Sequence, residues 1–359
     1  MTEQEQQTQQ PDYVIPDIPS HAEDDGVLRG RDIILPATLA RPYPIRGHLW
    51  EVENPLGRVV ILPGFTEFCE KYSQFAAFLT EAGFDCLLID WPGQGASGHL
   101  GIHPLLVHID DYAQHHHAIS ELVAEAGFAG KPFSVIGHSM GGHLALHCHQ
   151  LFGYEIEQII LLSPMIVPRS PPLWFVVSAS RLLSWFGMKK HSIPGVALTE
   201  THIARRFRID NMLTTDPDGY DRQYRIFEKK AYLRRYRPTV GWVAATFRSC
   251  LATTLNPEWM RSITVPVHGF VAADEQVVNL AKSIEMLSYL GHGQIQLIEN
   301  ARHELLNERR PVKQRIYHAV LACLHSPPDP LSYLDDVPDT SPEVTQEDAV
   351  EDKAQEQKH

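Results

Sequence analysis

The sequence predicts an α/β protein: a mainly parallel central sheet of about eight strands, flanked by helices and carrying a helical insertion. Apolar, strand-like runs alternate along the chain with helix-like segments, an order typical of parallel sheets. The strand-like runs are apolar throughout rather than alternating, as expected for strands covered on both faces. Residues 165–260 break this alternation because they contain seven prolines and no clear buried strand, so they define the insertion.

The predicted strands are short runs of β-branched, Leu and Phe residues. In chain order they span residues 46–54, 58–62, 84–90, 133–136, 157–162, 265–271 and 294–298. The predicted helices have apolar residues spaced three or four apart. In chain order they span residues 70–82, 109–126, 139–151, 277–290 and 312–324. Gly83 and Gly127 follow the first two helices, where glycine commonly ends a helix.

Charge divides the chain into four parts. The net charge of −13 comes from two acidic tails, residues 1–30 at −6 and residues 326–359 at −8. Both tails are poor in apolar runs and are predicted to be disordered. The core then covers residues 31–164 and 261–325, and the insertion has eight more basic than acidic residues. The middle of the chain is nearly neutral, which argues against a nucleic-acid-binding protein.

Location and cofactors are predicted from what the sequence lacks. The N-terminus is acidic without an apolar segment, and no run approaches the roughly 20 apolar residues that span a bilayer. The five cysteines are scattered and form no metal-binding spacing. His143 and His147 are spaced like metal ligands, but no third ligand is evident. We therefore predict a cytoplasmic protein without metal or cofactor.

The strongest motif is Gly-His-Ser-Met-Gly at residues 137–141, between a predicted strand and a predicted helix. A G-x-S-x-G sequence in that setting forms a tight turn that lifts the serine hydroxyl above the sheet. Small residues are needed on both sides, hence Gly137 and Gly141, and His138 precedes the serine. Ser139 is therefore the predicted nucleophile.

A serine nucleophile needs a base and an acid that orients the base. In proteins with this motif the acid and then the histidine follow the serine in the chain. Asp274 and His303 both follow predicted strands in that order. Glu275 is the competing acid, which we interpret as a solvated loop carboxylate because Asp274 comes first after the strand.

The same chemistry needs two N–H donors for the developing oxyanion. Met140, directly after the nucleophile, supplies one by its position. We assign the second to Phe65, in the Pro63-Gly64-Phe65-Thr66-Glu67 loop that follows an early strand. An ordinary strand-ending turn is the alternative for this loop.

These motifs together resemble the α/β-hydrolases of the lysophospholipase and monoacylglycerol lipase branch, a group that includes proteins called serine aminopeptidases. The resemblance covers about residues 30–325. It rests on residues 63–67, 90–97 and 137–142, on Ala273-Asp274, and on residues 301–304. Residues 211–217 and 238–242 are similar to the bacterial lysophospholipase-like members. The resemblance implies Ser139, Asp274 and His303 as the triad. The chain differs from the usual pattern at Pro63 and Pro92.

The insertion is expected to act as a lid. Residues 173–186 are its most apolar stretch. They are expected to form a wall for the acyl chain or a helix that touches the membrane. The alternative is a helix packed on the body of the protein. Four lid arginines are candidates for contact with an anionic headgroup or membrane. These candidates are Arg205, Arg206, Arg234 and Arg235. The alternative for each is a solvated surface residue.

The predicted function is hydrolysis of a single-chain acyl ester, with lysophospholipid as first and monoacylglycerol as second substrate. The alternatives are an acyltransferase or peptidase with the same triad, and a non-catalytic lipid-binding or interaction protein. The predicted partners are thus a lipid-like ester and, peripherally, an anionic membrane.

Overall fold

The computed structural model describes residues 15–18, 26–194 and 207–325. The C-terminal tail predicted at residues 326–359 lies outside them, as does most of the N-terminal tail. Residues 15–18 and 26–30 are described, however, and Ile18 and Leu28 pack against the apolar core. The prediction of a disordered tail over all of residues 1–30 is therefore wrong for these two segments.

Within the described residues, eight strands form one central sheet, which confirms the predicted fold class. The spatial order is β1-β2-β4-β3-β6-β7-β9-β10, and every neighbouring pair is parallel except those made by β2. The strands of the described residues, including two short ones outside this sheet, are β1 Arg31–Leu35, β2 Ile45–Trp50, β3 Gly57–Leu62, β4 Phe84–Asp90, β5 Leu106–Val107, β6 Phe133–His138, β7 Ile156–Leu162, β8 Arg237–Pro238, β9 Val267–Ala272 and β10 Gly293–Ile298.

Helices cover both faces of the sheet. They are α1 Ser73–Glu81, α2 Ala113–Glu125, α3 Met140–Phe152, α4 Leu173–Trp185, α5 Pro217–Lys229, α6 Val240–Ala252, α7 Pro257–Arg261, α8 Leu280–Leu287 and α9 Arg310–His325. Alternate strand residues reach opposite faces. Val135 of β6 joins the apolar cluster under α2, α3 and α8, whereas Ile136 joins the cluster under α1 and α9. Burial on both sides explains why these strands read as continuous apolar runs.

The edge strand β1 was not predicted from the sequence. Its residues are Arg-Asp-Ile-Ile-Leu, and only Ile33 and Leu35 are buried. A short edge strand with charged residues protects the sheet against pairing with another chain, but it has no apolar run to reveal it.

The insertion is helical and packs on the core. Trp242 and Ala245 of α6 belong to the same apolar cluster as α2 and α3. The short strand β8 also pairs with β5 of the core. In the part of the chain that the structure describes, no helix is long and apolar enough to cross a bilayer.

Candidate active site

Ser139 lies at the turn between β6 and α3, in a strained backbone conformation with φ 51° and ψ −117°. Its N–H donates to the Leu162 carbonyl at 3.0 Å, which ties the turn to β7. A Cβ on Gly137 would lie 2.4 Å from the Gly141 carbonyl oxygen, and one on Gly141 would lie 1.9 Å from that of Leu62. Both positions therefore exclude any side chain, as the motif predicted.

His303 lies in the histidine loop, defined here as residues 299–309 between β10 and α9. Its Nδ1–H donates to Glu275 Oε2 at 2.7 Å, and both side chains are buried. Glu275 Oε1 accepts the N–H groups of Val277 and Val278 at 2.7 and 3.1 Å. Burial by itself raises the pKa of Glu275, but the hydrogen bond and charge of His303 outweigh it and lower that pKa. An ionised Glu275 fixes the proton of His303 on Nδ1 and leaves Nε2 as the acceptor.

The pairing expected between Asp274 and His303 is not formed. The Asp274 side chain is 53% exposed and accepts from Arg302 Nε at 3.2 Å and from Gln276 Nε2 at 2.9 Å. Consecutive residues after a strand point in different directions, so only one of the two acids can face the histidine. Here it is the second, and its longer side chain reaches Nδ1. The interpretation of Glu275 as a solvated carboxylate is wrong.

The histidine loop contacts the serine turn directly. His138, the residue before the nucleophile, donates from Nε2 to the His303 carbonyl at 3.2 Å. The two imidazole rings have centroids 4.9 Å apart. Serine turn and histidine loop are therefore adjacent, although they are more than 160 residues apart in sequence.

The oxyanion loop, residues 63–68, lies against the serine turn because Gly141 fits closely over Leu62 and Pro63. The Gly64 N–H donates to Glu67 Oε2 at 2.5 Å, and the Thr66 N–H donates to Gln94 Oε1. Within the described segments, no protein hydrogen bond occupies the N–H of Phe65 or of Met140. Both groups are therefore available to bind a ligand oxygen.

Residues 90–97, noted in sequence only as a motif, brace the oxyanion loop. The buried Asp90 carboxylate accepts the N–H groups of Cys69 and Ala96, each at 2.8 Å. Gln94 holds Thr66, as described above. The signal in the sequence for this role was an acid at the end of a strand, followed by glycines. Once buried, such an acid needs backbone N–H groups as hydrogen-bond donors.

The insertion is joined to the histidine loop, which sequence reasoning missed. The buried Glu308 carboxylate accepts the N–H of Thr215 at 3.0 Å and that of Arg302 at 2.8 Å. The Glu304 N–H donates to the Leu213 carbonyl at 2.8 Å. The chain thus uses residues 211–216 of the insertion to support the loop that carries His303. Two acids within five residues after a candidate catalytic histidine, Glu304 and Glu308, were the signal in the sequence.

Two of the four predicted lid arginines lie within the described residues, and both bind backbone carbonyls. Arg205 and Arg206 lie outside the described residues. Arg235 is buried and donates to the carbonyls of Gly93 and Gly98 at 3.1 and 2.6 Å. Arg234 is half-buried and donates to the Phe227 carbonyl at 3.2 Å. The expectation fails for Arg234 and Arg235 because a local excess of charge does not tell which cations hold backbone carbonyls.

His143 and His147 of α3 have hydroxyl partners. His143 contacts Ser249 Oγ at 2.8 Å and Thr254 Oγ1 at 3.2 Å, and His147 contacts Thr253 Oγ1 at 3.3 Å. Burial lowers the pKa of His143 to about 3, so it is neutral at physiological pH. These histidines connect α3 to α6 and the residues after it.

Comparisons with known proteins identify the family of the chain. The family described as serine aminopeptidase, S33, matches residues 53–310. Lysophospholipase L2 of Escherichia coli K12 is 30% identical over 291 residues, covering 77% of this chain and 83% of that protein.

Two solved structures share the fold. The monoacylglycerol lipase of Paleococcus ferrophilus aligns with a TM-score of 0.61 at 19% identity, over 79% of this chain and 99% of that one. A soluble variant of the Saccharomyces cerevisiae monoglyceride lipase, in complex with a substrate analogue, aligns with a TM-score of 0.62 at 18% identity. That alignment covers 83% of this chain and 94% of the yeast chain. The chain belongs to the serine aminopeptidase S33 family of α/β-hydrolases, as a member similar to lysophospholipases and monoacylglycerol lipases.

Proposed function

We propose that the protein is a serine carboxylic-ester hydrolase with Ser139 as nucleophile, His303 as base and Glu275 as the acid that orients the base. The observation that carries the proposal is the buried contact between Glu275 and His303 Nδ1, beside a strained serine turn. That arrangement supplies the three roles that serine acyl transfer requires.

In the proposed reaction, Ser139 Oγ attacks the ester carbonyl while His303 Nε2 takes its proton. The N–H groups of Phe65 and Met140 bind the oxyanion, each worth about 3 kcal/mol in the transition state. Glu275 stabilises the resulting imidazolium. The alcohol leaves with the proton from His303, and a water molecule activated by the same histidine then releases the fatty acid from Ser139.

The proposed substrate is an ester with one acyl chain, lysophospholipid first and monoacylglycerol second. Support comes from the lysophospholipase L2 relative, which covers most of the chain. A second support is that the insertion reaches the oxyanion loop. Its apolar helix α4 packs on α6, and α6 carries Trp242. The Trp242 ring lies 4.3 Å from that of Phe65, which connects α4 to the oxyanion loop.

We further propose that α4 is the peripheral membrane contact. Trp174, Leu182 and Trp185 are 72%, 56% and 80% exposed and recur along one side of the helix. Phe175 and Phe186 are also exposed. Arg181 and the exposed Lys189 and Lys190 add positive charge beside these apolar side chains. Exposed aromatic residues with a basic flank are typical of helices that lie in a membrane interface.

The experiment compares fatty-acid release from a lysophospholipid and from a monoacylglycerol, with Ser139→Ala as the control. We expect release from both, abolished by the substitution, and at least tenfold faster from the lysophospholipid. That ratio corresponds to about 1.4 kcal/mol of transition-state discrimination. Equal or reversed rates would support the esterase but contradict the substrate preference.

The alternatives give different products. Acyl glycerol or methyl ester formed when glycerol or methanol is added would identify an acyltransferase. Cleavage of amino-acid anilides would identify a peptidase. No release from any of these, together with no labelling of Ser139 by a fluorophosphonate, would contradict an enzymatic function.

A further inference from the structure

His138 connects the oxyanion loop with the histidine loop through two hydrogen bonds. Its Nδ1 lies 3.0 Å from Glu67 Oε2, and its Nε2 lies 3.2 Å from the carbonyl oxygen of His303. The His138 side chain is buried. Its partners thus belong to the two segments that would hold the oxyanion and the base.

Both partners of His138 are acceptors. A carbonyl oxygen carries no proton. Glu67 also accepts from the Gly64 N–H at 2.5 Å, the Lys71 ammonium at 2.7 Å and the Tyr72 hydroxyl at 2.5 Å. A carboxylate with that many donors is ionised. Both nitrogens of His138 must therefore carry protons, which makes the ring an imidazolium.

The surrounding charges are consistent with this state. Burial disfavours the charged ring, but the attraction and hydrogen bond of Glu67 outweigh it and raise the pKa of His138. The titratable and charged groups facing His138 or the same cavity are Glu67, Lys71, Tyr72, Arg222, His303, Glu304 and Tyr317. Glu304 adds negative charge and also binds Lys71 at 2.7 Å, so two carboxylates lie among the cationic groups Lys71, His138 and Arg222.

Resting on the proposed esterase activity, we propose that His138 is a positioning residue, held as an imidazolium, that ties the oxyanion loop to the base. Glu67 binds His138 and the N–H of Gly64, the residue before the proposed donor Phe65. His138 in turn holds the main chain of His303.

The first test measures the protonation state of His138 by ¹⁵N NMR of histidine-labelled wild-type protein at about pH 8, where an ordinary histidine is neutral. The signal is assigned through the backbone resonances of His138, so the result does not depend on a variant. We expect two protonated nitrogens. A single protonated nitrogen, the signature of a neutral ring, would overturn the proposal.

The second test compares His138→Gln with His48→Gln as matched control. His48 is also buried, and it also contacts a carboxylate, Asp32 at 2.6 Å, and a carbonyl, that of Arg29 at 2.5 Å. It lies on β2, outside the proposed catalytic groups. The substrate is p-nitrophenyl butyrate, a small soluble ester, and each variant is assayed as folded protein.

For His138→Gln we expect kcat to fall at least about tenfold with KM nearly unchanged, because the misplaced groups act in the transition state. His48→Gln should leave both kcat and KM close to wild type. A kcat within a few-fold of wild type in His138→Gln, or a loss that appears in KM instead of kcat, would contradict the proposal.

The two tests separate failure of this inference from failure of the proposed function. An inactive wild type with a doubly protonated His138 would remove the esterase and leave the charge state intact. An active wild type with a neutral His138 would do the reverse.

Discussion

In the histidine loop, residues 299–309, buried polar groups are held by hydrogen bonds, whereas in α4 large apolar side chains face solvent. Glu304 and Glu308 are buried, and each has several donors. Trp174 and Trp185 of α4 are mostly exposed. A buried charge without partners and an exposed aromatic side chain each cost free energy. Hydrogen-bond donors offset that cost in the histidine loop, and the proposed membrane contact would offset it at α4.

The difference assigns separate tasks to the two ends of one insertion. Residues 211–216 hold the histidine loop through Glu308, so they support the loop that carries the proposed base. Residues 173–186 attach through packing on α6 and leave one side uncovered within the described residues. We expect substitutions near the histidine loop to change kcat, and substitutions on α4 to change the use of membrane-bound substrate alone.

The largest effect is expected at the acid. Glu275→Gln should reduce kcat by about 10³- to 10⁴-fold, because an amide at this place stabilises neither the required tautomer nor the imidazolium. Asp274→Asn is the matched control and should stay within a few-fold of wild type, since that side chain faces Arg302. Steady-state rates on a soluble ester decide between them, and a severe loss in Asp274→Asn alone would contradict the assignment.

Glu308→Gln should have the next largest effect. Both carboxylate oxygens of Glu308 accept N–H groups, from Thr215 and from Arg302. The amide of glutamine has only one accepting oxygen, and an unsatisfied buried group costs about 1–3 kcal/mol of stability. We expect a lower melting temperature and a kcat reduced roughly ten- to a hundredfold. Glu299→Gln, in the same loop but exposed, is the control and should match wild type. An unchanged kcat in Glu308→Gln would contradict the claim that the insertion supports the catalytic residues.

A smaller effect is expected from a double substitution on α4, Trp174→Ser with Trp185→Ser. Loss of two interfacial aromatic side chains should weaken binding to phospholipid vesicles about tenfold or more, with an equal loss of activity on substrate in those vesicles. Activity on a soluble ester should not change. Tyr154→Ser removes an aromatic residue that is 91% exposed outside the insertion and serves as the control. Unweakened vesicle binding in the double variant would exclude α4 as the contact.

The smallest effect is expected from Arg181→Gln on the same helix. One basic residue near an anionic surface contributes about 1 kcal/mol, or roughly fivefold in binding. The loss should occur with vesicles containing phosphatidylglycerol, disappear at high salt, and be absent with phosphatidylcholine alone. A loss that is equal on both lipids would point to packing instead of charge.

The sequence predicted the sheet and the serine turn well because both follow from local rules. A continuous apolar run such as residues 84–90 is stable only as a strand that is covered on both faces. The turn at Ser139 needs glycines that no other residue can replace. The acid was harder to predict, because the choice between Asp274 and Glu275 depends on how the chain turns after β9.

The insertion was the least predictable region because a charge count ignores burial. Its basic residues include Arg222 and Arg235, both buried and bound to backbone carbonyls. Nothing in the local sequence distinguishes them from the exposed Lys190. The role of residues 211–216 depends on contacts with residues some 90 positions away. Long-range hydrogen bonds of this kind leave no periodic pattern in the sequence.

The most direct test of the central claim measures how fast a fluorophosphonate labels Ser139, with the site identified by peptide mass spectrometry. This reagent reacts with an activated serine and requires no knowledge of the substrate. We predict labelling of Ser139 that is slowed at least about a hundredfold in Glu275→Gln and little changed in Asp274→Asn. Labelling that is unaffected by Glu275→Gln, or slowed only by Asp274→Asn, would contradict the account.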